Sequence, residues 1–441
     1  MKKNLLFLLM LAVAGQSFAE YNIVHRTQLI EDRLKLQESL RPLGHDFYFD
    51  ANGFFSADIF DLMDDVSLTV ENIDAIDSND PERDQKIIDE FSLLSNIWDG
   101  KELSGRLNFG LGIPLFQFNA WGIKFVPEIV RIDVGFISNI SISKESISPT
   151  QILNLLPDSA TIPTEVKDVV AELENTDFEV GDSLFDVLVR KDGTLEAFLN
   201  LPENAGIKDT LESFSVNSSI KSALSGTEIP NLNIYLKADA KVGPKLAWYG
   251  QNFFGHVNLY GLMRVDTNNL ITSALIDGNN TSFDAPTDVE ETNLTLDAAV
   301  GYRADNFSII ASMDEVKLTS LSEADDANNL YGTPILFKVY AEMNFKPFDF
   351  MKLKTFGGVH KREGYGFGDG YFLGVDLGAY VWGDRLGIQF RTQLDPEHVT
   401  FAPQFKFWVM QLEGMYKLPI ASDVDGRKPG SMLGVNFRIF I

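Results

Sequence analysis

Cysteine is absent from this 441-residue chain, so disulfides, thiolate metal sites and Cys nucleophiles are excluded. Histidine is scarce. His25, His45, His256, His360 and His398 show no His-Glu-x-x-His spacing, so a zinc hydrolase has no support. No Gly-x-Ser-x-Gly elbow occurs either. Past residue 19 no apolar run reaches the roughly 18 residues that a membrane helix needs. Positive charge is thin as well: 37 Lys and Arg face 63 Asp and Glu, a net charge of −26. That balance argues against nucleic acid and against direct binding to anionic headgroups. It suits a surface in a layer cross-bridged by divalent cations. No metal site and no cofactor are expected.

The chain does contain 34 Phe and 34 Gly, with 45% hydrophobic residues and a mean hydropathy of −0.03. A near-neutral average is expected where apolar and polar residues alternate along strands. Residues 1–19 have the form of a signal peptide. Lys2 and Lys3 form a positive start, Leu5 to Ala14 an apolar centre, and Ser17-Phe18-Ala19 a small-x-small cleavage site. No Cys follows, so export without a lipoprotein anchor is expected.

Residues 20–102 read as a helical N-terminal segment rather than sheet, apart from a possible short strand at Asp46–Asp50. Ile59, Leu62, Met63 and Val66 recur at helical spacing, as do Ile87, Ile88, Phe91, Leu94 and Ile97. Strand alternation occupies 103–145: Leu107, Phe109, Leu111 and Ile113 alternate with Asn108, Gly110 and Gly112, and Val130, Ile132, Val134 and Phe136 follow. Residues 146–226 are acidic, punctuated by Pro149, Pro157, Pro163 and Pro202, and helical in pattern, a folded excursion between strands. Alternation then resumes and fills 227–441, ending with Leu433, Val435, Phe437, Ile439 and Ile441 on one face of the last strand. Phe401 to Leu418 reads as one long strand with a register slip near Val409-Met410, a β-bulge. The total is roughly 12–14 strands of the length a tilted membrane strand requires.

A soluble sandwich would also bury apolar faces, but three features favour a barrel in lipid. The strands run about ten residues, longer than usual. Their polar faces carry Gly, Tyr, Arg and Lys. Trp121, Trp248, Tyr249, Trp382 and Tyr416 stand near strand ends, where aromatic girdles sit. The expected fold is all-β with helical additions: a transmembrane antiparallel β-barrel. In this architecture residues 103–441 resemble the outer-membrane β-barrels of Gram-negative bacteria. The N-terminal helical segment before a large barrel is similar to the FadL-type hydrophobe channels and to TraF-like barrels. The resemblance implies an outer-membrane location, lipid around the barrel, and recognition of the terminal strand, with Phe440 one place before the end, by the barrel-assembly machinery.

The presumed inward face brings together Lys237, Lys241, Arg264, Arg303, Lys338, Lys352, Lys354, Arg385, Arg391, Lys406 and Arg438. They outnumber Asp239, Asp297, Glu342 and Asp376, so a net basic lumen is expected. Two readings are open. The charges form an internal ion-pair lattice that fills a closed barrel, or they line a path for anions or acid-headed amphiphiles. On the same face Tyr235, Tyr260, Tyr340, Phe372 and Trp408 could hold an apolar tail. The acidic insertion admits three roles: plug, extracellular cap or periplasmic docking module. Gly364–Gly370 reads as a hairpin loop rather than a phosphate loop, and Asp423–Gly426 and Asp277–Asn280 read as turns rather than calcium loops. The functional expectation is passage or binding of a small solute by a protein that is not an enzyme. A non-conducting structural or surface-interaction barrel comes second. A membrane hydrolase using His256 or His360 comes third.

Overall fold

The structure, a computed structural model, describes residues 22–39, 47–77, 83–145, 148–149, 152–153, 156, 162–216, 218–226, 229–272, 291–322, 334–382 and 385–440. Its first half holds β1 (Tyr48–Ser56), β2 (Lys101–Pro114), β3 (Phe118–Ala120), β4 (Ile123–Glu145), β5 (Ile229–Tyr249), β6 (Phe253–Thr272), β7 (Glu291–Arg303) and β8 (Phe307–Ser322). The second half adds β9 (Leu336–Phe348), β10 (Met351–Lys361), β11 (Tyr371–Val381), β12 (Leu386–Leu394), β13 (His398–Phe407), β14 (Met410–Pro419), β15 (Lys428–Pro429) and β16 (Met432–Phe440). Fourteen of these strands close an antiparallel barrel. β3 is a short hairpin arm on β4, and β15 touches β2 over two residues. Closure runs through β1, which pairs with β16 from Tyr48↔Phe440 to Ser56↔Met432 and with β2 on its other side. The terminal strand therefore has no free edge.

β1 overlaps the short strand expected at Asp46–Asp50 but runs on to Ser56 and is barrel wall, which corrects the reading of 20–102 as a segment outside the sheet. Its outward residues are Phe49, Ala51, Gly53 and Phe55 and its inward ones Asp50, Asn52, Phe54 and Ser56, and the small outward members mask the alternation. The register slip near Val409 is also corrected. β13 ends at Phe407, which faces Met410 across the two-residue turn Trp408-Val409. Reversing the chain at a tight turn shifts the face parity just as a bulge would.

Alternation has the expected sense. On β16 Leu433 and Val435 are exposed on the outside, while Met432, Asn436 and Arg438 are buried within. The same outward belt continues through Phe109, Val134, Val242, Leu259, Val300, Val339, Val375, Ile388, Phe405 and Leu412. Phe54, Phe254, Phe356 and Tyr380 each stand directly across a strand pair from a glycine: Gly434, Gly301, Gly374 and Gly387. In each pair a Cβ on the glycine would overlap the ring. At these four places the wall is closed by a ring fitted into the gap that a glycine leaves on the neighbouring strand.

One end of the barrel carries the tight turns, with Trp121, Phe253, Phe348, Phe350, Trp382 and Trp408 exposed there. The other end carries the long connections. Between β1 and β2 run α2 (Ile59–Asp74) and α3 (Arg83–Trp98), and α1 (Ile23–Ser39) precedes β1. Between β4 and β5 the insertion folds α4 (Thr164–Ala171), α5 (Leu184–Lys191), α6 (Thr194–Leu199), α7 (Ala205–Ser213) and α8 (Ser218–Leu224) around a core of its own. Val166, Phe178, Leu184, Leu188, Leu199 and Leu211 lie within that core. Ser183 caps α5, its hydroxyl accepting from the Asp186 backbone N–H at 3.1 Å while the Asp186 carboxylate accepts from the Ser183 N–H.

Candidate functional site: the plugged barrel interior

The lumen is occupied by α1. From Arg26 to Leu34 every side chain of this helix is buried, although the sequence is mostly polar and has no apolar stripe wide enough for an ordinary surface helix. Such a helix persists only where its surroundings complete its polar groups. One side is apolar: Ile30 and Leu34 pack on the inward residues Phe54, Ala402, Met415 and Met432. Ile23 and Val24 meet Tyr235.

The remaining sides are held by ion pairs. Arg26 donates from Nε to Glu102 at 2.7 Å, and from Nη1 and Nη2 to the two oxygens of Glu397 at 2.5 and 2.6 Å. Arg33 pairs with the same Glu397 at 2.7 Å and donates to the Asp369 carbonyl at 2.7 Å. Asp32 receives both Nε and Nη2 of Arg362 at 2.9 Å and the Tyr365 hydroxyl at 2.7 Å. Glu31 pairs with Lys237 and, at 2.8 Å, with Lys35. Bidentate arginine–carboxylate contacts of this kind fix orientation as well as distance.

Glu315 is the hub on the wall. It sits on β8 with φ 60, beside a register shift between Leu296 and Ala298 of β7. Its backbone N–H donates to Asp297 at 2.7 Å. The bulge turns both Asp314 and Glu315 inward, and the Glu315 carboxylate meets Lys35, Lys241, Arg264 and Arg362 at 3.4, 2.8, 3.6 and 2.7 Å. A left-handed non-glycine residue costs about 1–2 kcal/mol, and here it places one carboxylate among four cations.

In the loop between β12 and β13, burial pushes the Glu397 carboxyl upward, but Arg26 and Arg33 outweigh it and hold the group well below the ordinary carboxylate range. Asp395 is likewise held low against burial, chiefly by Lys417, with a hydrogen bond from His398 and the charge of Arg33 adding to it.

The inward cations read from the sequence divide into four groups. Lys237, Lys241 and Arg264 converge on α1, Glu315 and Asp239, with Arg264 Nε 2.7 Å from Asp239. Arg391 pairs with Asp376 at 2.8 Å, Lys338 with Asp314, Lys354 with Glu342 at 3.2 Å, and Arg438 with Asp50 at 3.4 Å. Lys352 lies 4.7 Å over the Tyr380 ring, and Lys406 is half-buried on the inward face. Two stand apart. Arg303 is exposed at the tight-turn rim, its guanidinium 4.9 Å over Phe254. Arg385 lies at the same rim: it precedes β12, exposed, and its carbonyl accepts from the Trp408 N–H. Trp408 and Trp382 are at hairpin tips, not on the inward face.

The lumen is close to charge-balanced rather than net basic, once half-buried Lys35, Lys241, Lys338, Lys352, Lys354 and Lys406 and half-buried Asp297, Asp314 and Glu342 are added to the deeply buried groups. Thirteen carboxylates and ten Lys or Arg side chains are deeply buried among the described residues. Of the acids not read from the sequence, Glu31 and Asp32 come from α1, Glu315 from the β8 bulge and Asp395 and Glu397 from a loop, where strand alternation gives no sign of them; Asp50, Glu102, Glu128, Asp266, Glu291 and Glu413 stand on strands. Alternation likewise missed Arg26, Glu31, Asp32, Arg33, Lys35 and Arg362. A signal for the helix existed, since residues 22–39 contain no Gly or Pro and Glu31 precedes Lys35 by one turn.

His360 contacts the Tyr365 hydroxyl through Nδ1 at 2.8 Å, within the polar lattice around Asp32. Gly364–Gly370 is the hairpin loop between β10 and β11, and Asp423–Gly426 a turn in which the Gly426 N–H donates to Asp423 at 3.1 Å. Asp277–Asn280 lies outside the described residues.

No protein-family description matches the sequence, and no curated protein does. Among solved structures, the chain is similar to a mutant of the Rh. blastica porin, with 7% identity over 90% of this chain and 99% of that one at a TM-score of 0.28. It is similar to a TodX variant, described as a monoaromatic hydrocarbon channel, with 8% identity over 91% of each chain and a TM-score of 0.33. CdiB from Acinetobacter baumannii aligns with 6% identity over 89% of this chain and 59% of its own, at a TM-score of 0.30.

Proposed function

We propose that this is an outer-membrane barrel for the passage of small solutes, held closed by its own N-terminal helix. The observation that carries the reading is the mode of attachment of α1. It is held in the lumen mainly by ion pairs and hydrogen bonds, which water can replace, and by one small apolar patch. A helix meant as permanent filling would be held better by apolar contacts, since buried ion pairs contribute specificity more than stability. The apolar outer belt and the aromatic residues at the tight-turn end support a membrane setting in the outer membrane of a Gram-negative bacterium. Outer-membrane lipid and the barrel-assembly machinery are the partners this reading implies.

The second reading is a non-conducting structural barrel, favoured by the extent of ion pairing between α1 and the wall. Conductance of the refolded protein in a planar bilayer separates the two. Arg26→Gln with Arg33→Gln, or deletion of residues 20–39, is expected to convert a closed or flickering barrel into a steadily conducting one. A deleted, folded barrel that never conducts would move the assignment to the structural reading.

A further inference from the structure

The helical hairpin of α2 and α3 does not enter the lumen. Leu62, Leu94 and Trp98 pack on Leu103, Ile142, Leu232 and Ile234. Those wall residues share parity with the exposed Phe109, Val134 and Val242 and so lie on the outside of the barrel. The Trp98 Nε1–H donates to Asp65 at 2.8 Å and ties the two helices together. With this face covered, the hairpin still presents a second apolar surface: Phe60 is 64% exposed, Met63 58%, Leu93 59% and Ile97 60%.

Two observations say what covers that surface. The first is its height. On β5 the outward residues are covered by the hairpin from Leu232 to Leu236 and open from Ala238 onward. At ~3.3 Å per residue and a tilt of about 40°, the stretch from Ala238 to Tyr249 rises roughly 28 Å, the height of an outer-membrane apolar band. The hairpin thus begins where that band ends. The second is continuity: the Phe60 ring lies 6.3 Å from Phe55, an outward residue of β1, so the exposed surface of α2 runs on from the belt.

We propose that the α2–α3 hairpin is an interfacial membrane element, its Phe60, Met63, Leu93 and Ile97 seated in the acyl–headgroup boundary of the leaflet on the long-connection side. This rests on the membrane reading of the belt. Asp61 and Asp64 are exposed on the same helix, so attachment is by apolar burial to the usual 5–10 Å depth rather than by attraction to anionic headgroups.

The natural chain has no Cys, which makes site-directed spin labels clean reporters. Met63→Cys, Ile97→Cys, Val435→Cys on the belt and Val180→Cys on the insertion are labelled in proteoliposomes. Each is probed with oxygen, which concentrates in lipid, and with a water-soluble nickel chelate. Positions 63 and 97 are expected to match 435, with an oxygen-to-nickel accessibility ratio several-fold above that at 180. Nickel access at 63 and 97 with lipid access at 435 would overturn this inference and leave the barrel reading standing. Exclusion of both probes at 63 and 97 would mean a protein covers the hairpin, and would overturn it too. Nickel access at 435 would overturn the membrane reading beneath it.

Discussion

The guanidinium of Arg362 grips the Asp32 carboxylate with Nε and Nη2, both at 2.9 Å, while its Nη1 reaches Glu315 at 2.7 Å. One wall arginine therefore joins the plug helix to the bulge of β8. Arg362→Met leaves Asp32 and Glu315 buried without that cation, and losing one partner of a buried pair costs about 3–5 kcal/mol. The variant is expected to unfold at lower temperature in a heat-modified migration assay. The double variant Asp32→Leu with Arg362→Met should recover most of the loss, because neither charge is then stranded.

The acid response follows from Glu397 and Asp395, both held below their ordinary values in the folded state. A carboxylate with a depressed pKa contributes stability above its unfolded value, and that contribution fades as pH falls toward the folded one. Below about pH 4.5 the helix-released state therefore gains protons that the plugged state refuses, and release is favoured. Proteolysis of residues 22–39 should accelerate below that pH in wild type. In Glu397→Gln, where the Arg26 and Arg33 contacts are already weakened, α1 should be exposed at neutral pH, with a flatter pH profile.

Gly374 faces Phe356 across β10 and β11, and a Cβ there would overlap the ring and crowd the Thr392 carbonyl. Gly374→Ala should destabilise by roughly 1–3 kcal/mol, the usual range for overpacking. Phe356→Leu added to it should restore part of that. If Gly374→Ala is neutral in the same migration assay, the ring does not depend on the gap.

Strand faces were legible because period two survives wherever the outward residues are large. Val435, Leu433, Val339 and Phe337 declare the outside, and the parity of Arg264, Lys237 and Asp376 then follows. β1 was legible only at its start, around Asp46–Asp50, because its outward set further on includes Ala51 and Gly53. The turn at Trp408 was hidden because a two-residue reversal and a bulge shift parity alike. The candidate site was legible in its cations and in four of its acids, Asp239, Asp297, Glu342 and Asp376. Other acids come from α1, whose burial on all sides leaves no amphipathic stripe, from Glu315, which the bulge turns inward against the alternation, from the loop of Asp395 and Glu397, and from strand positions such as Asp50, Glu102 and Glu413. Sequence period reports one face of one element, whereas the plug is an agreement between elements more than two hundred residues apart, such as Glu31 and Lys237.

Trp121, Trp382 and Trp408 occupy left-handed backbone at hairpin tips, with φ of 52, 53 and 51. A bulky residue pays about 1–2 kcal/mol for that conformation, and Asn or Gly would be the ordinary choice. All three are largely exposed at the tight-turn end, so packing among the described residues does little to offset the strain. A bilayer interface would offset it, since an indole gains by lying at headgroup level. Trp408→Asn is therefore expected to be neutral or slightly stabilising in detergent micelles, where the strain is relieved and no fixed interface exists. In phospholipid bilayers the same change should lower refolding yield and stability. An equal effect in both settings would mean that the tryptophan at this tip is not an interfacial anchor.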